Sequence, residues 1–567
     1  MATRVKRSWG RILLVAATLL PGVRGATAYD WLQFGGDPQH SGRNTAETIL
    51  TPSNVGTLAI KYQVPLSGLV DGAPVFLENV STPGGVKNLL FVATSDGQII
   101  ALDAQNGAVV WTQQYGPGTC TINNGGGSAC YTTSSPAIDP NRLYVYGYGL
   151  DGYVHKYQVG DGVEIFTGGW PQLTTLKGYD EKGSSALTIA TAAGVKYLYV
   201  AHAGYPGDNG DYQGHVTAIN LATGAQRVFN TACSDKARHL DHFITPETPA
   251  TCATRQNAIW ARPGVFYDPG TNRIFVATGN AFTAGVGRFD GVHNWSESVL
   301  ALQPDASGGT GGNAGKPLDS YTPANWSSLD DGDTDIGSTG PTILPAPANS
   351  NVQHLAVQSG KDGMLRLLNL ADLSGLGGPG HTGGSIGAPI SLIQGGGVFS
   401  QPAVWINPAD SSTWFFVVNG HGTSAVRVNV DGGGNPSLVT QWPTIDMPTS
   451  VPGGTSPVVA NNMLFYLSAG GVRVVDPVSG SILLTALGTG SSHWQSLIVA
   501  NGVVYVTDQT SSLTAFSLGS AQSPTTTVLG SSANPANAGA SVVLTATVSG
   551  TGPTGNVNFS EGGSALA

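Results

Sequence analysis

Short runs of alternating apolar and polar residues, closed by Asp-Gly or Asn-Gly pairs, recur along most of the chain. The clearest copy, residues 90–111, predicts three strands joined by tight turns at Asp96-Gly97 and Asn106-Gly107. Glycine in such pairs supplies the positive φ that a two-residue hairpin turn requires. Because β-branched and apolar residues fill the positions between the turns, the pattern favours antiparallel strands.

Seven further segments carry a related pattern, which makes eight units. They span residues 143–166, 197–229, 273–302, 355–370, 414–428, 463–484 and 503–518. A small sheet cannot bury both of its faces alone, so such units must stack against their neighbours. About four strands per unit, repeated radially, make a propeller blade. We therefore predict an all-β fold whose main part is an eight-bladed β-propeller.

An additional strand, predicted over residues 57–64, precedes the first unit. Pairing of this strand into the last blade would close the ring and remove an open sheet edge. An unclosed stack of sheets or a pair of sandwiches is the alternative that the pattern leaves open.

Composition supports a folded chain with many turns. The 567 residues include 80 glycines and 34 prolines, and 40% of residues are hydrophobic while 11% are charged. Such a chain can bury a sizeable core and is not a charge-rich disordered protein. The net charge is −10 and no basic stripe is visible, so we expect no nucleic-acid partner.

The first 28 residues resemble a secretory signal peptide. Arg4, Lys6 and Arg7 precede an apolar stretch over residues 12–20, and Ala26-Thr27-Ala28 gives a small-x-small cleavage pattern. The apolar stretch is shorter than the roughly 20 residues that span a bilayer. We predict a secreted, periplasmic or cell-surface protein with no membrane span after cleavage; an uncleaved anchor is the alternative.

Four cysteines, Cys120, Cys130, Cys233 and Cys252, occur in the chain. An even number in an exported chain predicts disulfides, and the order along the chain favours Cys120–Cys130 with Cys233–Cys252 among three possible pairings. No CxxCH motif is present, so we expect no covalently attached c-type haem.

Four stretches of the propeller region resemble a known family. They are residues 30–35 followed by 51–58, residues 267–280 ending in Ala-Thr-Gly-Asn, residues 326–341 with Asp333-Thr-Asp335, and residues 395–402. Together they resemble the PQQ-dependent alcohol dehydrogenases, including the polyvinyl-alcohol dehydrogenase branch. They also resemble non-enzymatic relatives such as the outer-membrane assembly propeller. We assign residues 29–519 to this propeller.

The resemblance implies a quinone and calcium site. Asn280, Asp333 and Asp335 would be metal ligands, and Asp333 would also be the catalytic proton acceptor. Lys361 would contact the quinone oxygens, and Trp260 would form the floor under the quinone ring. The implied cofactors are PQQ and calcium, since hard oxygen ligands suit that ion.

The same comparison shows departures from the family pattern. The adjacent pair of cysteines that covers the quinone ring is missing, and only Cys130 falls near that position. Asn209 stands in the place of the glutamate ligand, Gln213 stands in the place of an arginine, and Trp260 is two positions out of register. These departures predict a partly degenerate quinone site.

Simpler interpretations of the same residues remain open. Asn280 after a glycine can shape a turn, and Lys361 before Asp-Gly can be a turn residue. The acidic segment 330–335 can be a solvated loop, or it can bind calcium without any quinone.

The last part of the chain differs in composition from the propeller. Residues 541–548 predict a strongly alternating strand, residues 555–559 predict another, and the segment resembles bacterial immunoglobulin-like repeats. An Ig-like sandwich needs about 100 residues, so we predict a linker and an incomplete Ig-like sandwich over residues 520–567.

Two functions are compatible with these patterns. The departures and the Ig-like segment favour a binding or scaffold propeller with a protein or polysaccharide partner at the cell surface. The alternative is a PQQ- and calcium-dependent alcohol dehydrogenase-like oxidoreductase that passes electrons to a separate acceptor. Fold alone does not decide between them.

Overall fold

The computed structural model describes most of the chain. The described residues are 29–115, 120–123, 128–206, 208, 210–242, 248–281, 287–444, 454–468, 470–519, 526–549, 557, 559–561 and 564–565. The predicted signal peptide and Asn209 lie outside them. Within them, no helix is long and apolar enough to cross a membrane.

The chain is mostly β-structure and forms an eight-bladed β-propeller, as the repeat predicts. Two early strands, β1 (Arg43–Asn44) and β2 (Leu58–Pro65), join the last two sheets. The first blade consists of β3 (Val75–Thr82), β4 (Gly85–Ala93), β5 (Gln98–Asp103) and β6 (Val109–Gln114). The second consists of β7 (Ala137–Ile138), β8 (Tyr144–Tyr148), β9 (Tyr153–Gln158) and β10 (Gln172–Leu173).

The middle blades are built in the same way. The third contains β11 (Glu181–Gly183), β12 (Thr188–Ala192), β13 (Val195–Gly204), β14 (His215–Asn220) and β15 (Gln226–Asn230). The fourth contains β16 (Phe266–Asp268), β17 (Arg273–Ala277), β18 (Val299–Leu302) and β19 (Asp319–Tyr321). The fifth contains β20 (Thr342–Pro345), β21 (His354–Gln358), β22 (Met364–Asn369) and β23 (Ile390–Ser391).

The last three blades complete the ring. The sixth contains β24 (Ala403–Ile406), β25 (Thr413–Asn419), β26 (Gly422–Val430) and β27 (Pro436–Thr444). The seventh contains β1 with β28 (Val458–Ala460), β29 (Met463–Ser468), β30 (Gly471–Val475) and β31 (Ile482–Leu487). The eighth contains β2 with β32 (Ile498–Ala500), β33 (Val503–Thr507) and β34 (Ser512–Leu518).

Ring closure follows the prediction. The early strand β2 pairs antiparallel with β34, from Leu58 opposite Leu518 to Pro65 opposite Ser512. The first and last parts of the propeller therefore share one sheet, which removes an exposed edge. The strand β1 adds a parallel contact to β28 in the seventh blade.

Helices are few and short in the described residues. One α-helix, α1, spans Trp326–Gly332 between the fourth and fifth blades. Three 3₁₀ turns span Val55–Thr57, Gly311–Asn313 and Ile336–Ser338.

Apolar faces of neighbouring blades pack against each other to form the core. Phe275 of the fourth blade lies in one cluster with Leu368 of the fifth. Leu355 of the fifth blade lies in another with Phe415 of the sixth. This continuous burial between sheets is what stabilises units that could not fold separately.

The hairpin turns and the blade-ending aromatic residues test the repeat in detail. Gly97 and Gly107 have φ of 85° and 76°, as the turn pattern predicts. Trp111 is buried, and its Nε1 donates a hydrogen bond to the Val159 oxygen of the next blade, at 3.0 Å. The position at the end of a unit predicts packing between blades for Phe166 as well, but this prediction is wrong, because the Phe166 side chain is 67% exposed. The outer strand of its blade is β10, so Phe166 lies in a loop before that strand.

Both predicted disulfides are present, Cys120–Cys130 and Cys233–Cys252. Disulfides persist in oxidising compartments, so this pairing is consistent with an extracytoplasmic location. Export itself stays a prediction.

Beyond the propeller, four short strands form two separate pairs. They are β35 (Thr526–Ser531) with β36 (Leu544–Ser549), and β37 (Ser560–Glu561) with β38 (Ser564–Ala565). The strand predicted over residues 541–548 thus largely coincides with β36. Two-stranded pairs do not establish a sandwich, so the Ig-like assignment and the boundaries 1–28, 29–519 and 520–567 stay predictions.

Candidate active site

A cavity of about 460 Å³ lies among the segments that connect the blades. Four of the five predicted site residues, Trp260, Asn280, Asp333 and Lys361, line it. They come from different places in the third, fourth and fifth blades, so the fold alone brings them together. The fifth predicted residue, Asp335, does not line the cavity and is completely buried.

The Ala-Thr-Gly-Asn motif after β17 positions two of these side chains. Asn280 is buried, and its Nδ2 donates to Asp333 Oδ1 at 3.3 Å. A Cβ atom at Gly279 would lie 2.7 Å from Trp260 Cδ1, closer than real side chains approach. Glycine is therefore required for the Trp260 indole to lie against the backbone next to Asn280.

The acidic segment 330–335, at the end of α1 and just beyond it, divides into two halves. Asp330 accepts hydrogen bonds from the Ala281 amide at 2.9 Å and from Arg288 Nε at 3.0 Å, and Asp331 pairs with the same arginine. This half anchors the loop. Asp333 follows the last turn of α1 in the left-handed region, with φ of 48°, and its side chain is about half exposed in the cavity.

Lys361 connects the two remaining carboxylates of this segment. Its Nζ lies 2.6 Å from Asp333 Oδ1 and 2.6 Å from Asp335 Oδ1. Burial alone would lower the pKa of Lys361, but the Asp335 and Asp333 carboxylates more than offset that effect, so the pKa is raised. Burial raises the pKa of Asp335, and the lysine charge opposes this rise. Lys361 is thus held as a cation in a fixed position beside Asp333.

Glu297 is a buried acid that the sequence did not single out. It is fully buried behind Asp335 and accepts a hydrogen bond from the Ile336 amide at 3.0 Å. Burial and then the Asp335 charge raise its pKa well above the usual range of a carboxyl. Burial beside a second carboxyl group therefore favours the protonated form of Glu297.

Asp208 places a carboxylate in the cavity, one residue before the position where the family has its glutamate ligand. It lines the cavity, while its neighbour Asn209, which stands in the glutamate's place, lies outside the described residues. Its backbone is left-handed, with φ of 50°, and the Tyr212 hydroxyl donates to Asp208 Oδ1 at 2.5 Å. Burial raises the pKa of Asp208, and the Asp333 charge adds to that rise. The acidic pair Asp208 and Asp211 around Asn-Gly was the signal available in the sequence.

Gln213, in the place of the family's arginine, has a structural role behind the cavity. It is buried, receives a hydrogen bond from Lys177 Nζ, and donates to the Thr254 oxygen at 2.8 Å. The same lysine lies 3.2 Å from Glu181. A buried lysine therefore lies between Gln213 and Glu181.

We call Asp208, Asn280, Asp333, Asp335 and Lys361 the acidic part of the cavity region. Among the described residues, no group of three or more His, Cys, Asp or Glu side chains is spaced to hold a metal ion. Within this acidic part, the oxygen donors that line the cavity are two carboxylates, Asp208 and Asp333, and the Asn280 amide. Such oxygen donors suit a hard cation such as calcium.

A second group of charged residues lines the same cavity and was not predicted. We call Asp71, Tyr131, Lys182, Arg262 and His493 the basic part. Arg262 Nη2 lies 2.7 Å from Asp71 Oδ2, and His493 Nδ1 lies 3.0 Å from the same oxygen. Lys182 Nζ lies 4.8 Å from the centre of the Tyr131 ring and 5.8 Å from the centre of the Trp260 ring.

Aromatic side chains surround the basic part. Tyr131 directly follows Cys130, which the disulfide joins to Cys120, and its ring lines the cavity. Phe399 and Trp494 stack with ring centres 5.1 Å apart, and the Arg262 guanidinium lies 5.3 Å from the Trp494 ring. Flat aromatic walls of this kind suit a planar ligand.

Comparison with known proteins agrees with this fold. A family model described as "Glucose/ethanol/alcohol dehydrogenase, beta-propeller domain", of the PQQ type, matches residues 31–311. No curated protein sequence matches the chain.

Solved structures share the architecture at low identity. The quinohemoprotein alcohol dehydrogenase of Comamonas testosteroni is 15% identical with a TM-score of 0.59, over 89% of this chain and 83% of that one. The enzyme ADHIIG of Pseudomonas putida HK5 is 14% identical with a TM-score of 0.57, over 86% of this chain and 80% of that one. A europium-containing methanol dehydrogenase is 15% identical with a TM-score of 0.57, over 86% of this chain and 98% of that one.

These similarities show a shared fold. The chemistry of this chain has to be inferred from its own residues, because fold does not determine function. Two of the three proteins are quinohemoproteins, so the expectation of no haem stays a prediction for this chain. Residues 31–311 therefore match the PQQ-type β-propeller domain, and the eight observed blades agree with that likeness.

Proposed function

We propose that the chain is an exported oxidoreductase that uses PQQ and a hard cation to dehydrogenate an alcohol. The observation that carries this proposal is that Trp260, Asn280, Asp333 and Lys361 line one cavity, although they are far apart in sequence. If these residues only shaped turns or lay in a solvated loop, nothing would require their side chains to line one cavity.

The residues present are compatible with the implied cofactor and ion. Asp208, Asn280 and Asp333 offer oxygen atoms of the kind that calcium and lanthanide ions prefer. Trp260 offers a flat ring on one side of the cavity, and a volume of about 460 Å³ is in the range of small-molecule sites. In the sequence alone, the missing pair of cysteines was evidence for a degenerate quinone site. The lining of the cavity weakens that evidence.

The bound quinone would accept the two electrons that the alcohol loses, while the cation would polarise its carbonyl group. The chain's own contribution is proton transfer. Asp333 Oδ1 is engaged by Lys361 and Asn280, whereas Oδ2 has no partner among the described residues and can accept the hydroxyl proton of the alcohol. Lys361 fixes the carboxylate in this orientation, since it is tied to the buried Asp335 on its other side.

The experiment is a dehydrogenase assay with a dye as electron acceptor. The purified chain would be incubated with PQQ and either calcium or lanthanum, and then supplied with a panel of primary and secondary alcohols. We expect alcohol-dependent dye reduction that requires both PQQ and one of the cations. Asp331→Asn, which changes an exposed acid of the same loop, is the matched control for Asp333→Asn.

The alternative is a binding propeller at the cell surface with a protein or polysaccharide partner. That function keeps the same fold and predicts no turnover with any alcohol, even when quinone and cation are present. Absence of activity with both cations, in a chain shown to be folded, would favour it over the oxidoreductase.

A further inference from the structure

The basic part of the cavity contains a charged group that the proposed function does not use. Lys182 lies in β11, is 5% exposed, and makes no hydrogen bond or ion pair with any described residue. Its ammonium faces the Tyr131 and Trp260 rings instead. Ring faces attract a cation, but they do not replace the hydrogen bonds that an ammonium loses on burial.

The position of Lys182 follows from the strand that carries it. Strand β11 pairs antiparallel with β13, with Lys182 opposite Ala203. Side chains alternate along a strand, so Glu181 faces Lys177 on one side while Lys182 faces the cavity on the other. The lysine is thus directed into the cavity by the sheet and not by a flexible loop.

Arg262 is also incompletely satisfied. Its Nη2 pairs with Asp71, but its buried Nε has no partner among the described residues. Lys182 and Arg262 therefore place two basic groups beside the single carboxylate of Asp71, which His493 also contacts. The region lacks negative charge, which an anionic ligand would provide.

The two parts of the cavity are electrostatically separate. The groups that act on Lys182 are Arg262 and Asp71, whereas those that act on Asp208 are Asp333 and Lys361, besides the hydrogen bond from Tyr212. An anion beside Lys182 would therefore not have to occupy the position of the cation.

We propose that Lys182 and Arg262 form a carboxylate-binding subsite in this cavity. A carboxylate fits because its single negative charge complements the ammonium and the guanidinium, and its two oxygens can accept hydrogen bonds from both groups. The Tyr131, Trp260 and Trp494 rings around them suit a carboxylate attached to a flat ring. The carboxylate is either one of those on PQQ, in which case the inference rests on the proposed function, or that of a separate aromatic substrate.

Binding of a carboxylate at this subsite should be coupled to proton uptake. Burial, and then the like charge of Arg262, lower the pKa of Lys182 to about 7, while Asp71 opposes the shift. The free lysine is thus partly neutral at pH 7.5, and a bound carboxylate would favour its charged form. The Tyr131 hydroxyl, whose ring the lysine faces, has a pKa raised by burial to about 12 and does not titrate in this range.

The test is calorimetric titration of the whole chain at pH 7.5 in two buffers with different ionisation enthalpies. The probes are PQQ with calcium, the trimethyl ester of PQQ with calcium, and benzoate. We expect uptake of roughly half a proton or more per bound carboxylate, since linkage requires it when the pKa of Lys182 rises. Lys182→Met should abolish the uptake and weaken binding about tenfold to a hundredfold. Lys156→Met, which changes a lysine over the Tyr144 and Trp170 rings outside the cavity, should leave both unchanged.

The three probes distinguish the sources of the carboxylate. Uptake with PQQ but not with its ester assigns the subsite to the quinone. Uptake with benzoate when PQQ does not bind would overturn the proposed function while supporting the subsite for a substrate. If Lys182→Met changes neither PQQ nor benzoate binding, the inference is overturned.

A measurement on the unaltered chain guards against a variant that fails to fold. Competitive acetylation followed by mass spectrometry should give Lys182 an apparent pKa near 7, and either bound probe should protect it. A reactive Lys182 that no carboxylate protects would contradict the inference.

Discussion

The acidic and basic parts of the cavity differ in how their charges are satisfied. In the acidic part, Lys361 lies 2.6 Å from both Asp333 and Asp335, and Tyr212 donates to Asp208 at 2.5 Å. In the basic part, Lys182 has no hydrogen-bond partner among the described residues, and Arg262 keeps a buried nitrogen without one. The protein itself therefore preorganises the acidic part, whereas the basic part is completed only by a ligand.

This difference has an energetic consequence. A charge that is paired in the free protein costs little to keep, but a buried charge without a partner destabilises the free protein. Removing a residue from the acidic part should therefore damage both function and stability. Removing the lysine from the basic part should damage binding while stabilising the free chain.

Asp333→Asn should have the largest effect. We expect alcohol oxidation to fall about a thousandfold, because a positioned general base contributes about 10² to 10⁴ and the amide cannot accept the proton. PQQ binding should change much less than turnover. The dye-linked assay measures this, and equal losses in Asp331→Asn would show that the loop as a whole, and not Asp333, is responsible.

Lys361→Met should have the next largest effect, a loss of stability. Removing the cation leaves the buried Asp335 without its ion pair, at a cost of about 3 kcal/mol in the free energy of unfolding. The pKa of Asp335 is already raised by burial, so without the lysine the folded chain binds a proton more tightly than the unfolded chain. The variant should therefore lose stability as the pH rises and recover some of it as the pH falls.

Denaturant unfolding at pH 5 and pH 8 measures the Lys361→Met prediction. Lys361→Arg keeps the positive charge and serves as the control, with a smaller loss at both pH values. A Lys361→Met variant that is less stable at pH 5 than at pH 8 would contradict this predicted pH dependence.

Asp208→Asn should weaken the cation site without unfolding the chain. Loss of one ligand charge should lower the affinity for calcium about tenfold or more, since ligand charge count sets that affinity. Tyr212→Phe removes the hydroxyl that holds Asp208 and should lower the affinity by a similar or smaller factor. Calcium titration in the presence of PQQ measures both, and unchanged affinity in Asp208→Asn would remove this residue from the site.

Lys182→Met should have the smallest effect on the free chain, and its sign is opposite to the others. The folded-state pKa of about 7 lies below the ordinary value of 10.5, so between these values the unfolded chain binds more protons. The stability of the wild-type chain should therefore rise with pH through this range, and at pH 7 the Lys182 side chain is destabilising. We expect Lys182→Met to raise the free energy of unfolding by about 1–2 kcal/mol at pH 7. A thermal melt without ligand measures this. A lower melting temperature in the variant would contradict the claim that the buried Lys182 destabilises the free chain.

The propeller was predictable because its signals are local and repeated. The Asp96-Gly97 and Asn106-Gly107 turns define the strands of a blade, and their glycines adopt the positive φ that the pattern requires. The early strand could be assigned to the last blade because a ring needs closure. Phe166 was misjudged because the outer strand of its blade is only two residues long and lies further along the chain.

The site was predictable only where a family motif marks it. Asn280, Asp333 and Lys361 stand in recognisable segments and meet in the cavity. Asp208 was missed because a comparison by position selected its neighbour Asn209. Lys182 was missed because a short strand contains no motif, and only its pairing to β13 directs the side chain inward.

The most direct test of the central claim is titration of the whole chain with PQQ, with and without calcium or lanthanum, followed by calorimetry. We predict tight binding that requires a cation and that takes up protons at pH 7.5, because both parts of the cavity are then occupied. Absence of PQQ binding with either cation, in a folded chain, would contradict the account.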